Sequence, residues 1–126
     1  MRRWLTVLAC LFACHAPAVE PPAGRIRLLV QSSPLAGSQF HALEEVREQL
    51  QVGMPLQLVR EPENPHDARA VRVDWQGYVL GYLPRVENST VSRALDAGEA
   101  VEARIARLRE HRNPWQRLEI EVFLRL

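Results

Sequence analysis

Lysine is absent from this chain: all sixteen cationic residues are arginine. A Gly-rich loop that cradles phosphate needs its lysine, and Schiff-base catalysis needs a lysine amine, so both are excluded. Cysteine is confined to Cys10 and Cys14. A domain that begins after them has neither a disulfide nor a thiol nucleophile, and its stability must come from its core alone. There is no Gly-x-Ser-x-Gly, no His-Glu-x-x-His and no other sequence context that would activate a nucleophile. Internal repeats and low-complexity tracts are also missing. These absences favour a binding module over covalent catalysis.

What is present fits one domain. A length of 126 residues supports one core, 47% apolar residues suffice to build it, and 25% charged residues are ordinary for a globule. Met1-Arg2-Arg3 precedes an apolar run from Trp4 to Ala13, and Ala16-Pro17-Ala18 offers small residues where a signal peptidase reads. The run is too short for a permanent transmembrane span. A signal peptide over 1–18 is therefore expected, then a linker over 19–24 and a domain over 25–126, in a periplasmic or secreted protein. Leu11-Phe12-Ala13-Cys14 also offers a lipoprotein box with Cys14 as the lipidated residue, and a cytoplasmic protein with a start further downstream is the remaining alternative. Cleavage after Ala18 would remove Arg2 and Arg3 and take the formal charge from +1 to −1. Such a domain lacks the basic excess of most dedicated DNA binders.

Strand patterns dominate the domain. Arg25 to Val30 and Ser38 to Ala42 are strand-like, while Leu43, Val46 and Leu50 fall at helical spacing and Gly53 with Pro55 ends that turn. Leu56 to Arg60 and Ala70 to Trp75 alternate, Gln76-Gly77 makes a tight turn into Tyr78 to Leu83, and Pro84 stops that strand. Asn88 or Ser89 can cap a helix whose inner face is Val91, Ala94 and Leu95 and which Gly98 closes. Val101 to Arg109 and Leu118 to Leu124 alternate on either side of a loop over His111 to Gln116. About six or seven short strands with one or two short helices predict a mainly β fold, a small barrel.

The run Leu58 to Asp67, with its Asn64-Pro65-His66-Asp67 corner, then Ala70-Val71, Gly77 and Leu80-Gly81-Tyr82-Leu83-Pro84-Arg85, resembles the HIRAN domain, a module of DNA-dependent remodelling ATPases and of small stand-alone bacterial proteins. The likeness spans about Leu29 to Leu126. It implies a modified, OB-like six-stranded β-barrel, and a pocket that holds the free 3′ end of single-stranded DNA. By position, Asp67 would accept the 3′-hydroxyl, His66 and Phe40 would stack on terminal bases, and Tyr82 would make a further polar contact. Arg85 completes the expected nucleic-acid-binding set. Gln39 stands where an arginine reaching a phosphate is expected, and His66 replaces a larger tyrosine. Both departures weaken the salt-dependent and stacking parts of binding. A monomer with no cofactor and no catalytic residue is expected.

Other readings stand beside these. Asn and Asp flank turns because their side chains bond nearby amides, so the corner has a purely structural explanation. His66-Asp67 also resembles the metal-binding dipeptide of phosphohydrolases, which would make the chain a zinc-dependent hydrolase of acid anhydrides. His41 and His111 share no spacing with it, and a metal site needs a full ligand set. Trp75 and Tyr78 are expected in the core and Trp115 on the surface. Arg104, Arg107, Arg109, Arg112 and Arg117 form a stripe that would track phosphates or else be the solvated face of an edge strand. Finally, an exported protein meets little DNA, so an envelope interaction module that kept the fold and lost the pocket is the main rival; its partner would be an envelope protein.

Overall fold

The computed structural model describes residues 26–126. The expected leader over 1–18, the linker over 19–24 and both cysteines lie outside the described residues. Six strands form the frame: β1 (Arg27–Pro34), β2 (Pro55–Glu61), β3 (Ala70–Trp75), β4 (Tyr78–Tyr82), β5 (Val101–Leu108) and β6 (Leu118–Arg125). Two short helices, α1 (Leu43–Val46) and α2 (Ser89–Asp96), complete it. The strands lie in the order β1-β6-β5-β2-β3-β4, with every neighbouring pair antiparallel. No helix among the described residues is long and apolar enough to cross a membrane.

β2 turns the corner of this sheet. Pro55 and Leu56 pair with Arg104 and Ala103 of β5, whereas Gln57 to Glu61 pair with β3. A strand that changes partners along its length carries the chain from one half of a bent sheet to the other. Proline at its first residue forfeits no ladder bond there. The edge strands β1 and β4 share no ladder, so the strands do not close into a fully hydrogen-bonded barrel. The two outer edges are joined instead by one small bridge just past β1. The Ala36 amide donates to the Tyr82 carbonyl at 2.8 Å, and the Tyr82 amide donates back at 2.9 Å. The result is an OB-like sheet whose closure rests on that bridge.

Alternating residues of the strands build the core. Val71 and Val73 on β3, Leu80 on β4, Ile105 on β5, and Leu118, Ile120 and Val122 on β6 are all buried. Each such side chain contributes about 1.5–3 kcal/mol of transfer free energy. Leu43, Val46 and Leu50 bury one face of α1 and the 3-10 turn that follows it, as their spacing requires. α2 packs through Val91 and Ala94. Arg60 of β2 holds the helix end, donating to the Ala70 carbonyl and pairing with Asp96 at 3.0 Å. The β3–β4 turn is of the type with both central residues at positive φ, Gln76 at 45° and Gly77 at 84°, which suits the twist of a two-residue hairpin.

Two local expectations are corrected. Ser38 to Ala42 is not a strand: Gly37 takes a left-handed φ of 70° and throws Ser38–Phe40 into a 3-10 turn, with Ser38 buried and Gln39 and Phe40 both exposed. That pattern lacks the period-2 alternation a strand requires. Tyr78 is not core. It is 41% exposed beside the hairpin turn and lies against Trp75, which is buried, with ring centroids 6.2 Å apart.

Candidate functional site

The Asn64-Pro65-His66-Asp67 corner is held from within. Asn64 Oδ1 accepts from the His66 amide at 2.8 Å and from the Asp67 amide at 3.3 Å, while its Nδ2 donates to Glu61 Oε1 at 3.1 Å. Asp67 Oδ1 accepts from the Arg69 amide at 2.9 Å. The turn explanation is therefore physically correct. It is also the device that presents Asp67.

Asp67 lines a hollow of about 500 Å³, within the range of small-ligand clefts. Three stretches of chain surround it. Asn64, His66, Asp67 and Ala70 come from the β2–β3 loop and the start of β3; Tyr82, Leu83 and Arg85 come from the end of β4 and the turn beyond. Ala36, Phe40 and His41 come from the segment after β1. The Ala36–Tyr82 bridge holds this third stretch against the second. The bridge needs Gly81, because a Cβ there would lie 2.5 Å from the Ala36 carbonyl oxygen. Thus Phe40, His66, Asp67, Tyr82 and Arg85 come together, although they are spread over forty-six positions of sequence. Gln39 does not line the hollow; it is an exposed residue of the 3-10 turn. Phe40 is 80% exposed, unusual for a large ring with a free choice of burial.

Three members escaped the sequence reading. His41 lines the hollow with its ring 5.6 Å from that of Tyr82 and tilted by 54°; only its adjacency to Phe40 hinted at this. Glu61 accepts from the Tyr82 hydroxyl at 2.8 Å and from Arg72 at 3.0 Å, and Arg72 in turn grips Asp74 with two bonds. Asn88 was foreseen as a helix cap. It stands at that position, yet its side chain makes no capping bond. Its Nδ2 donates instead to Asp67 Oδ2 at 2.7 Å, and its buried Oδ1 has no partner among the described residues. A forgone cap costs about 1 kcal/mol, and an unpaired buried acceptor costs about 1–3 kcal/mol.

The electrostatics follow from these contacts. Burial alone would push the Asp67 carboxyl up, but the Arg69 amide, the Asn88 amide and the nearby Arg85 and Arg69 charges outweigh it and hold it below the ordinary range. Glu61 is likewise held down against burial by Asn64, Tyr82 and Arg72, while burial and Glu61 push the Tyr82 phenol up. Neither Arg69 nor Arg85 is ion-paired among the described residues. The arginine stripe on the β5–β6 hairpin is occupied in part, with Arg109 and Arg112 also without an ion pair among the described residues. Arg104 pairs with Glu121, Arg107 with Glu119 and Arg117 with Glu44. Trp115 is exposed in that hairpin's loop, as expected. A wider groove of about 630 Å³ where β2 leaves β5 is similarly neutralised, with Arg27 bound to Glu102 and Arg104 to Glu121. Among the described residues no group of three or more His, Cys, Asp or Glu side chains is placed to hold a metal ion.

Comparison with known proteins agrees with the fold. The family model of the HIRAN domain matches residues 28–126. The chain is 32% identical over 95 residues to a Fanconi-associated nuclease 1 homolog of Oryza sativa subsp. japonica, covering 65% of this chain and 9% of that protein. It thus spans a small fraction of the curated relative it matches. A crystal structure of a protein from Lactobacillus plantarum superposes with a TM-score of 0.68 at 24% identity, covering 79% of this chain and 95% of the other. The HIRAN domain of human HLTF superposes with a TM-score of 0.55 at 17% identity, covering 78% of each chain. Both structural likenesses concern the fold.

Proposed function

The chain belongs to the HIRAN domain family, and on that footing we propose that it is a non-catalytic module that holds the 3′ end of a single-stranded nucleic acid in the hollow beside Asp67. The observation that carries this reading is the shared cavity of an ionised carboxylate and an exposed aromatic ring, Asp67 and Phe40. An ionised carboxylate is an acceptor only. A terminal hydroxyl donates to it in a strong, charge-assisted bond, whereas a terminal phosphate is repelled. Within a DNA strand, only a free end offers that hydroxyl. Phe40 supplies a stacking platform worth about 1–3 kcal/mol per base, and His66 lines the same hollow as a smaller one. Arg85, unpaired on the rim, supplies the phosphate contact that Gln39 does not.

Fluorescence anisotropy with a labelled single strand ending in a 3′-hydroxyl, against the same strand ending in a 3′-phosphate, tests the reading. Preference for the hydroxyl, lost in Asp67→Ala, supports it. Equal or absent binding overturns it.

The rival, an envelope interaction module, draws on a different observation. Ile26, Leu28, Leu29 and Leu126 are exposed together at the β1 edge of the sheet, where strand addition by another chain has room. The export we propose from the basic and apolar start of the sequence favours this rival, because an exported protein meets little DNA. Sequencing the mature N-terminus from fractionated cells decides between cleavage after Ala18, lipidation at Cys14 and cytoplasmic retention.

A further inference from the structure

We propose that Asn88, at the head of α2, is a positioning residue that sets the preference of the hollow for a hydroxyl end over a phosphate end. Its amide fixes the Asp67 carboxylate in one orientation. This rests on the reading of the hollow given above.

Each carboxylate oxygen can accept two bonds. Asp67 Oδ1 gives one position to the Arg69 amide and Oδ2 gives one to Asn88 Nδ2, at 2.9 and 2.7 Å. One acceptor position per oxygen remains, on a side chain that lines the hollow. The Arg69 contact lies within the loop itself and moves with it. Asn88 is mounted on a helix twenty-one residues away, is 1% exposed, and anchors the carboxylate to the packed body of the domain. A recognition group held by a rigid outer support is pre-organised for its ligand.

The cost of this arrangement is what separates it from packing. An asparagine at the N-cap of a helix ordinarily turns its oxygen to the free amides of the first turn. Asn88 does not, and its own oxygen is left buried without a partner. Its chemistry also suits the task. The amide donates without adding charge, so the carboxylate keeps its full negative charge toward the ligand. An arginine in that place would invite a phosphate. The charged and titratable groups around Asp67 are Arg69 and His66 from its own loop, Arg85 from the turn after β4, and His41 from the segment after β1.

Two variants test the proposal, and the readout is the affinity ratio for the 3′-hydroxyl over the 3′-phosphate strand. A ratio within one protein preparation is independent of how much of that preparation is folded. In the wild type the ratio is expected at about tenfold or more, the worth of one charge-assisted bond. Asn88→Leu keeps the branched outline and the number of heavy atoms, removes the donor together with the orphaned oxygen, and should bring the ratio to within about threefold of unity. Asn88→Asp should give a ratio that depends on pH. When protonated, the introduced carboxyl donates to Asp67 as the amide does; when ionised, it repels Asp67. The preference should therefore be recovered toward about pH 5 and lost toward about pH 8. The wild type over the same range is the baseline for every other titrating group, the 3′-phosphate of the probe included. A wild-type ratio in Asn88→Leu, or a wild-type pH profile in Asn88→Asp, overturns the positioning role while leaving an Asp67-dependent site intact. A wild type without preference overturns the site reading and this role with it.

Discussion

The hydroxyl of Tyr82 donates to Oε1 of Glu61 across 2.8 Å, tying the last residue of β4 to the last residue of β2 over the intervening β3. The same carboxylate takes Asn64 on that oxygen and Arg72 on the other. One acidic side chain thus links the ring that walls the hollow to the corner that presents Asp67. Because the phenol proton is committed, Tyr82 meets a ligand as an acceptor or through its ring. Tyr82→Phe and Glu61→Gln are each expected to cost about 1 kcal/mol of stability, with a coupling of about 0.5–1.5 kcal/mol between them. Glu61→Ala should cost more, about 1–3 kcal/mol, because it strips partners from Arg72, Asn64 and Tyr82 at once. Chemical denaturation of the two single variants and the double variant measures the coupling, and additive losses would mean the contact carries no energy.

The sequence made the frame legible where one rule governed a stretch by itself. Alternation marked β2, β3, β5 and β6, Gln76-Gly77 marked its hairpin, and helical spacing marked the turn from Leu43 to Leu50. The Asn-Pro-His-Asp corner was legible both as a turn and, through family resemblance, as the bearer of Asp67. What stayed hidden needed two distant segments at once. Nothing near Asn88 reveals that its amide reaches back to Asp67 in place of capping a helix. Glu61 reads as one more surface acid until Tyr82 and Arg72 are placed beside it. Ser38 to Ala42 was misread because one left-handed glycine, Gly37, outweighed the local strand propensity. Arg104 and Arg107 looked like part of a free stripe because their partners, Glu121 and Glu119, lie on the opposite strand, where pairing register decides who meets whom.

Gly81→Ala probes the joint between the sheet edges. The new Cβ would stand 2.5 Å from the Ala36 carbonyl oxygen and 2.8 Å from Leu35 Cγ, and backbone cannot yield as a flexible side chain does. The bridge should open and stability fall by about 1–3 kcal/mol, the usual cost of overpacking. Because Ala36 and Tyr82 both line the hollow, ligand affinity should fall as well. Thermal melting and anisotropy on the same variant give both numbers. A stable variant with full affinity would show that the bridge is incidental to the site.

Acid should weaken the fold through two named carboxylates. Asp67 and Glu61 are both held below their ordinary values of 3.8 and 4.5. As pH falls, the unfolded chain therefore binds protons before the folded one does. The stabilisation is complete above those ordinary values and is lost as pH drops through the lower folded ones. In Asp67→Asn and Glu61→Gln the stability curve should be flatter below about pH 4.5, with the gap to the wild type widest near neutrality. Melting temperatures across that range check this, and a constant gap at every pH would exclude the linkage.

Phe40 and Trp75 separate function from packing. Phe40 projects from the rim while Trp75 is buried in the core. Phe40→Ala should change stability by no more than about 0.5 kcal/mol and weaken a single strand by about 1–3 kcal/mol, a factor of about 5 to 150. Trp75→Ala should cost about 3–5 kcal/mol of stability. Paired denaturation and binding measurements distinguish the two, and full affinity in Phe40→Ala would remove the ring from the site.

Arg85 and Arg107 make the final contrast, between a free cation and an occupied one. Arg85 lines the hollow without an ion-pair partner among the described residues, while Arg107 faces Glu119 at 3.8 Å across the β5–β6 ladder. A phosphate that meets Arg85 displaces a counterion into solution; a phosphate near Arg107 must first compete with a carboxylate. In a plot of log affinity against log salt, Arg85→Ala should therefore shallow the slope by about 0.7, the increment for one contact to a single strand. Arg107→Ala should leave the slope within error. Because the effect is on the slope, it is distinct from a general loss of folded protein, which lowers the signal equally at every salt concentration. Equal slopes in all three proteins would mean that the phosphate path runs elsewhere, past Arg69 or across the loop that carries Trp115.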